Sequence, residues 1–138
     1  MHAGLVERVA PAALVAREAA CAPFVDYPAS HAYMTQLAAL NLGEVWRRAD
    51  ADVLAVYPTS DFLTSAHEHE ALVAKANFYR PGRATVVLVP GMDHYFAPAA
   101  SQAESFRNDR APLARPFFAG ILPVLDGWLD RTVGAPRA

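Results

Sequence analysis

The chain has 138 residues, of which 54% are hydrophobic and 19% charged. It is long enough for one globular domain and too short for two separate cores. Its net charge is −2 and its arginines are scattered, which excludes a basic surface for nucleic acid or for an anionic membrane. The single cysteine, Cys21, excludes an intrachain disulfide framework, and no apolar stretch has the length of a membrane span. We therefore expect a cytoplasmic protein.

The N-terminal third of the chain predicts helices. Residues 4 to 21 carry apolar residues at helical spacing, with Pro11 either kinking the helix or marking its first turn. A break rich in proline follows at 22–29. Ser30 then occupies an N-cap position before a second helical run, from His31 to Arg48.

The middle of the chain predicts a strand, a helix and a second strand. Residues 52–57 and 84–89 are almost unbroken apolar runs, typical of parallel strands buried on both faces. Between them, Ser65 and Glu68 have the spacing of a capping box, which predicts a helix that ends at about Tyr79. The fold class predicted is α/β, with two parallel strands flanked by helices.

The last part of the chain predicts a long loop and a terminal helix. Residues 90 to 112 are rich in proline, serine, alanine and charged residues, and a loop of that length is usually functional. Residues 113 to 132 carry aromatic and aliphatic side chains at helical spacing. We expect Pro123 to bend that helix near Ala119.

Two polar residues follow the two predicted strands, Asp61 after the first and His94 after the second. The carboxyl ends of parallel strands meet at one edge of a sheet, where such folds bind ligands, and adjacent strands lie about 4.8 Å apart. A carboxylate beside an imidazole fixes its tautomer and raises its basicity, as general-base catalysis requires. The alternative is that both are ordinary polar loop residues. The position after consecutive strands favours a functional pair.

The residues around this pair resemble those of the α/β-hydrolase family. Val53 to Asp61 is similar to the strand and acid turn of the family, Pro90 to His94 to its histidine turn, and Phe117 to Leu129 to its terminal helix. Acid and histidine stand in the family's order, and the resemblance covers about residues 50–131, more loosely 30–131. One departure is Pro58, which stands where the family commonly has glycine.

The resemblance implies a single domain that is the C-terminal part of an α/β-hydrolase fold. Residues 1–49 would be a helical cap or linker region, and residues 50–132 would carry the acid and the histidine. The activity implied is that of an esterase- or peptidase-like hydrolase acting on a small-molecule ester. Asp61 would orient the imidazole, and His94 would be the general base.

The nucleophile of such a hydrolase is missing from the sequence, which has no Gly-x-Ser-x-Gly motif. The pattern predicts Ser30 and Ser65 as helix caps, Ser60 as a local hydrogen-bonding residue of the acid turn, and Ser101 and Ser105 as solvated loop residues. Ser60 and Ser65 stay as weak nucleophile candidates. Two functions follow: a small esterase acting on short acyl esters, or a non-catalytic fragment that needs a partner chain to supply the nucleophile.

No metal or cofactor is expected. His67 and His69 are two residues apart on a predicted helix and point away from each other, so they cannot bind one ion. His67 and Glu70 share a face, but two ligands make a weak site.

Two strands make a poor sheet on their own, and the outer edge of strand 52–57 would present unpaired backbone groups. We expect this edge to be covered in a homodimer, or by a separate chain that supplies the missing N-terminal half.

Overall fold

The computed structural model describes residues 2–25, 29–110 and 114–133, which belong to two compact units, Met1–Val45 and Trp46–Ala138. The elements of the first part of the chain are α1 (His2–Leu5), α2 (Pro11–Arg17), a 3-10 helix (Ala19–Phe24), α3 (His31–Ala38) and α4 (Leu42–Arg48). They are followed by β1 (Val53–Pro58), α5 (Ala66–Tyr79), β2 (Ala84–Val89), α6 (Gln102–Asp109), a second 3-10 helix (Ala119–Ile121) and α7 (Leu122–Val133). The predicted α/β class is confirmed.

The first unit contains shorter helices than the sequence predicts. Pro11 begins α2, where its missing N–H leaves no hydrogen bond unmade, so the predicted helix 4–21 is divided. Ser30 caps α3 by accepting a hydrogen bond from the N–H of Tyr33. The predicted run 31–48 is also divided, because the Oδ1 atom of Asn41 accepts from the N–H of Glu44 and starts α4 as a separate helix.

The second unit is built on the pairing of β1 with β2. The strands are parallel, with Val53 opposite Ala84 and Pro58 opposite Val89. Helix α5 packs against both strands, and its N-terminus has the predicted capping box between Ser65 and Glu68. The hydrophobic core of the unit is a cluster of three buried residues, against which half-buried apolar side chains pack. The buried residues are Val89, Met92 and Ile121, and those packed against them are Val56, Val87, Phe118, Val124 and Leu125. The sheet therefore lies between α5 and α7.

Burial of the strands is less complete than predicted. Every residue of β1 is buried or half-buried, whereas Thr85 and Leu88 of β2 are exposed. Among the described residues each of the two strands has the other as its only partner. The prediction of two-sided burial is thus wrong for β2.

Two predictions for the C-terminal part are also wrong. The segment 90–112 is not a structureless loop, because Ser101 caps α6 by accepting from the N–H of Glu104 at 3.2 Å. The terminal α-helix begins at Leu122 rather than at 113. Pro123 is the second residue of α7, and proline is compatible with the first turn of a helix. It therefore does not bend the middle of this helix. None of the described helices has the length and apolar content needed to cross a membrane.

One side chain of α5 satisfies the backbone of β2. Asn77 Nδ2 donates to the carbonyl of Ala84, and Asn77 Oδ1 accepts from its N–H, both at 2.8 Å. Ala84 is 4% exposed, so water cannot replace these bonds. We expect Asn77→Ala to lower the free energy of unfolding by about 1–3 kcal/mol, measured by urea denaturation.

The matched control is Glu70→Ala on the same helix, because the Glu70 side chain is exposed. It should change stability by less than about 0.5 kcal/mol. Equal effects of the two substitutions would show that the Asn77 bonds contribute nothing specific.

Candidate functional site

Asp61 lies in a tight turn directly after β1, closed by a hydrogen bond from its N–H to the carbonyl of Pro58 at 3.0 Å. Its carboxyl group is almost fully buried, with 1% exposure, and accepts four hydrogen bonds. Oδ1 accepts from the N–H groups of Leu63 at 2.7 Å and Thr64 at 3.1 Å. Oδ2 accepts from the Thr64 hydroxyl and from Nδ1 of His94. Every lone-pair direction is therefore used inside the protein.

These bonds decide the charge of Asp61. Burial alone raises the pKa of the carboxyl group, because it disfavours the charged form. The hydrogen bonds from Thr64, from His94 and from the N–H groups of Leu63 and Thr64 outweigh that effect and hold the pKa below its ordinary value. Asp61 is therefore ionised at neutral pH despite its burial.

His94 lies in a second turn that is held by the residue before it. Asp93 is fully buried, and its Oδ1 accepts from the N–H groups of Tyr95 and Ala97, both at 2.9 Å. Its own N–H donates to the carbonyl of Ala97 at 2.8 Å. The turn contains Phe96 at φ 58°, a left-handed conformation that a bulky residue seldom adopts.

The two turns are joined to each other by hydrogen bonds. The N–H of Thr59 donates to the carbonyl of Val89 at 3.0 Å, and the N–H of Ser60 to that of Met92 at 3.1 Å. The Ser60 hydroxyl is buried and donates to the carbonyl of Ala99 at 2.6 Å. The prediction that the Ser60 hydroxyl bonds within its own turn is therefore wrong, because its partner lies 39 residues away. These contacts extend the pairing of the strands into the loops.

The predicted Asp61 and His94 are brought together, with 2.9 Å between Oδ2 of Asp61 and Nδ1 of His94. An ionised carboxylate only accepts hydrogen bonds, so Nδ1 carries the proton. In the neutral ring Nε2 then has a free lone pair. The His94 side chain is 39% exposed, and no described residue hydrogen-bonds to Nε2. The arrangement provides an oriented base that is open to solvent.

No serine hydroxyl hydrogen-bonds to His94. The weak candidate Ser60 bonds Ala99, and Ser65 is engaged with Glu68 at the start of α5, where it accepts from the Glu68 N–H. Ser101 caps α6. Ser105 is fully buried, contrary to the solvated position predicted for it, and donates to Oδ2 of Asp93 at 3.3 Å.

The predicted histidine-rich helix start holds no cluster of ligands. His69 Nδ1 lies 2.9 Å from the carbonyl of Ser65, and its ring packs against Tyr57 with centroids 5.2 Å apart. His67 is exposed. Among the described residues no group of three or more His, Cys, Asp or Glu side chains is arranged to hold a metal ion.

A polar cluster beside His94 was missed in the sequence. The Tyr95 ring meets that of His94 edge-on at 5.4 Å, and the Arg115 guanidinium lies 4.1 Å above the Tyr95 ring. Arg115 also pairs with Asp109 at 3.2 Å. A hydrogen bond to Asp109, together with burial, raises the pKa of Tyr95, and hydrogen bonds from Tyr95 and Arg115 lower the pKa of Asp109. The only sign in the sequence that could have pointed to Tyr95 is its position next to His94.

No protein-family model, curated protein or solved structure matches the chain.

The ionised Asp61 carboxylate should make stability depend on pH. Because its pKa in the folded state lies below the ordinary value of 3.8, its contribution is complete above that value and is lost as pH falls through the folded-state pKa. The difference in free energy of unfolding between the wild type and Asp61→Asn should therefore be largest near neutral pH and shrink in acid. Urea denaturation from about pH 6 to about pH 2 measures this, and a constant difference would contradict it.

Proposed function

We propose that the Trp46–Ala138 unit carries the acid and the general base of an α/β-hydrolase-type ester hydrolase, with short acyl esters as substrates. The observation that carries the proposal is the 2.9 Å contact between Asp61 and His94, made by turns that follow two paired parallel strands. The order of acid and histidine along the chain and the resemblance of residues 50–131 to that family support it.

The chemistry follows from the protonation of the pair. Nε2 of His94 takes the proton of an attacking hydroxyl group or water as its oxygen bonds to the ester carbonyl carbon. The ring becomes an imidazolium ion, which the buried Asp61 carboxylate stabilises across the 2.9 Å contact. When the tetrahedral intermediate collapses, Nε2 returns the proton to the leaving alcohol oxygen, and the carbon–oxygen bond to that alcohol breaks.

The source of the attacking oxygen separates two candidate functions. If it is water, the chain hydrolyses activated esters slowly without an acyl-enzyme intermediate. The alternative is a module that is inactive until a partner chain supplies a serine. The hydroxyls of Ser60, Ser65 and Ser105 each bond a group other than His94, which favours this second function.

Hydrolysis of p-nitrophenyl butyrate by the purified chain tests the role of the pair. If water is the attacking oxygen, we expect His94→Ala to lower kcat/KM by about 10²–10⁴-fold, the usual contribution of a positioned base, and Asp61→Asn to lower it because the tautomer is no longer fixed. His67→Ala is the matched control, since His67 is an exposed histidine of the same unit, and it should keep the wild-type rate.

Equal rates for the wild type, His94→Ala and Asp61→Asn would remove the catalytic proposal for the isolated chain. A fluorophosphonate label that attaches to a serine would instead identify an internal nucleophile and contradict attack by water.

The outer edge of β1 is the place where we propose that a second copy binds. The N–H of Val53 donates to the carbonyl of Arg83, just before β2, and the N–H of Thr59 donates to that of Val89. Because orientation alternates along a strand, the backbone groups of Leu54 and Val56 point away from β2. No described residue pairs with them. Two copies related by a two-fold axis through Ala55 would pair Leu54 of each with Val56 of the other and make four hydrogen bonds.

A proline on each strand tests this interface. Leu54→Pro removes an outward N–H from β1, and Val86→Pro removes the equivalent group from the outer edge of β2. Sedimentation velocity should show a dimer for the wild type and for Val86→Pro, and a monomer for Leu54→Pro. A monomeric wild type at micromolar concentration would contradict the homodimer.

A further inference from the structure

Helix α6 lies against both turns of the candidate site through two consecutive residues. Ser105 donates from Oγ to Oδ2 of Asp93, the residue before His94. Phe106 packs edge-on against Phe62, the residue after Asp61, with ring centroids 5.4 Å apart and planes at 74°. One helix thus touches the chain neighbour of each member of the pair.

We propose that α6 is a clamp in which Ser105 and Phe106 are positioning residues. They keep the Asp61 carboxylate and the His94 imidazole at hydrogen-bonding distance from each other. This inference rests on the proposed role of the pair, but it concerns a different part of the molecule. Neither residue touches the reacting atoms. Each acts through the neighbour that it contacts.

The histidine side of the clamp depends on the buried carboxyl group of Asp93. Asp93 and Ser105 are both fully buried, so the Asp93 carboxylate has no water to solvate it. Two N–H groups of its own turn satisfy Oδ1, and the Ser105 hydroxyl is the partner of Oδ2. Removing that hydroxyl leaves a buried carboxylate oxygen unsatisfied in the residue that fixes the His94 turn. Phe96 in this turn has a left-handed backbone conformation, and the strain of that conformation favours rearrangement once the bond is lost.

The acid side of the clamp depends on aromatic packing. Phe62 is half-buried, and the turn that it follows holds Asp61 by local hydrogen bonds. The Arg110 guanidinium lies 4.7 Å from the Phe106 ring centroid. An edge-to-face aromatic pair fixes the orientation of both rings as well as their distance. Without Phe106 the acid turn loses this aromatic contact with α6.

The sequence of α6 agrees with a clamp rather than with a core helix. Ser101 caps its first turn, and Glu104 accepts from the N–H of Ala100 at 2.7 Å, so the helix start is fixed locally. Ser105 is its one fully buried residue. The helix is mostly polar, so it contributes little apolar surface to the core.

The test is the Nδ1–H proton of His94, observed by NMR in the full chain. In the wild type this proton should be shielded from exchange with water by its bond to Asp61. Ser105→Ala and Phe106→Ala should each accelerate its exchange by about ten- to hundredfold, as expected for the loss of one buried contact. Phe106→Tyr, which keeps the ring, should restore slow exchange.

Arg107→Ala is the matched control on the same helix, because Arg107 is exposed, and it should leave the exchange unchanged. Phe106 is 43% exposed, so its variants keep the test valid if Ser105→Ala does not fold. Unchanged exchange in folded Ser105→Ala or Phe106→Ala would overturn the clamp, even if ester hydrolysis depends on His94. Conversely, accelerated exchange would support the clamp even if His94→Ala hydrolysed the ester at the wild-type rate.

Discussion

The parallel pairing of β1 with β2 is the constraint on which the rest of the second unit depends. Its register sets Pro58 opposite Val89, so the segments that follow β1 and β2 leave the sheet side by side. The N–H groups of Thr59 and Ser60 continue the pairing beyond the strand ends. Asp61 and His94 then meet because each is a few residues past the same edge. A shift of one residue in the register would turn every side chain of a strand to the other face of the sheet.

Two buried carboxylates with different tasks lie at that edge. Asp61 is held ionised by hydrogen bonds that lower its pKa, and one of them comes from His94. Asp93 bonds the backbone of its own turn and a hydroxyl of α6. A buried carboxyl group is costly without hydrogen bonds, and in both residues each carboxyl oxygen has at least one partner. One carboxylate orients the ring, and the other shapes the loop that carries it.

Much of this arrangement could be predicted from the sequence, for identifiable reasons. The apolar runs set the strands to within one residue, and the spacing of Asp61 and His94 from the strand ends was enough to place them together. Helix α6 could not be predicted, because its eight residues are mostly polar and show no apolar periodicity. The burial of Ser105 depends on Asp93, a partner twelve residues away, which local pattern cannot show. In the first unit, Pro11 and Asn41 start new helices where apolar spacing alone predicts continuous ones.

The central claim is that Asp61 holds His94 as a base whose Nε2 atom is free. The most direct measurement is the tautomer of His94, read from the ¹⁵N chemical shifts of the imidazole ring in histidine-labelled protein at a pH where the ring is neutral. The account predicts a protonated Nδ1 and an unprotonated Nε2. A ring protonated at Nε2, or one that averages both tautomers as free imidazole does, would contradict it.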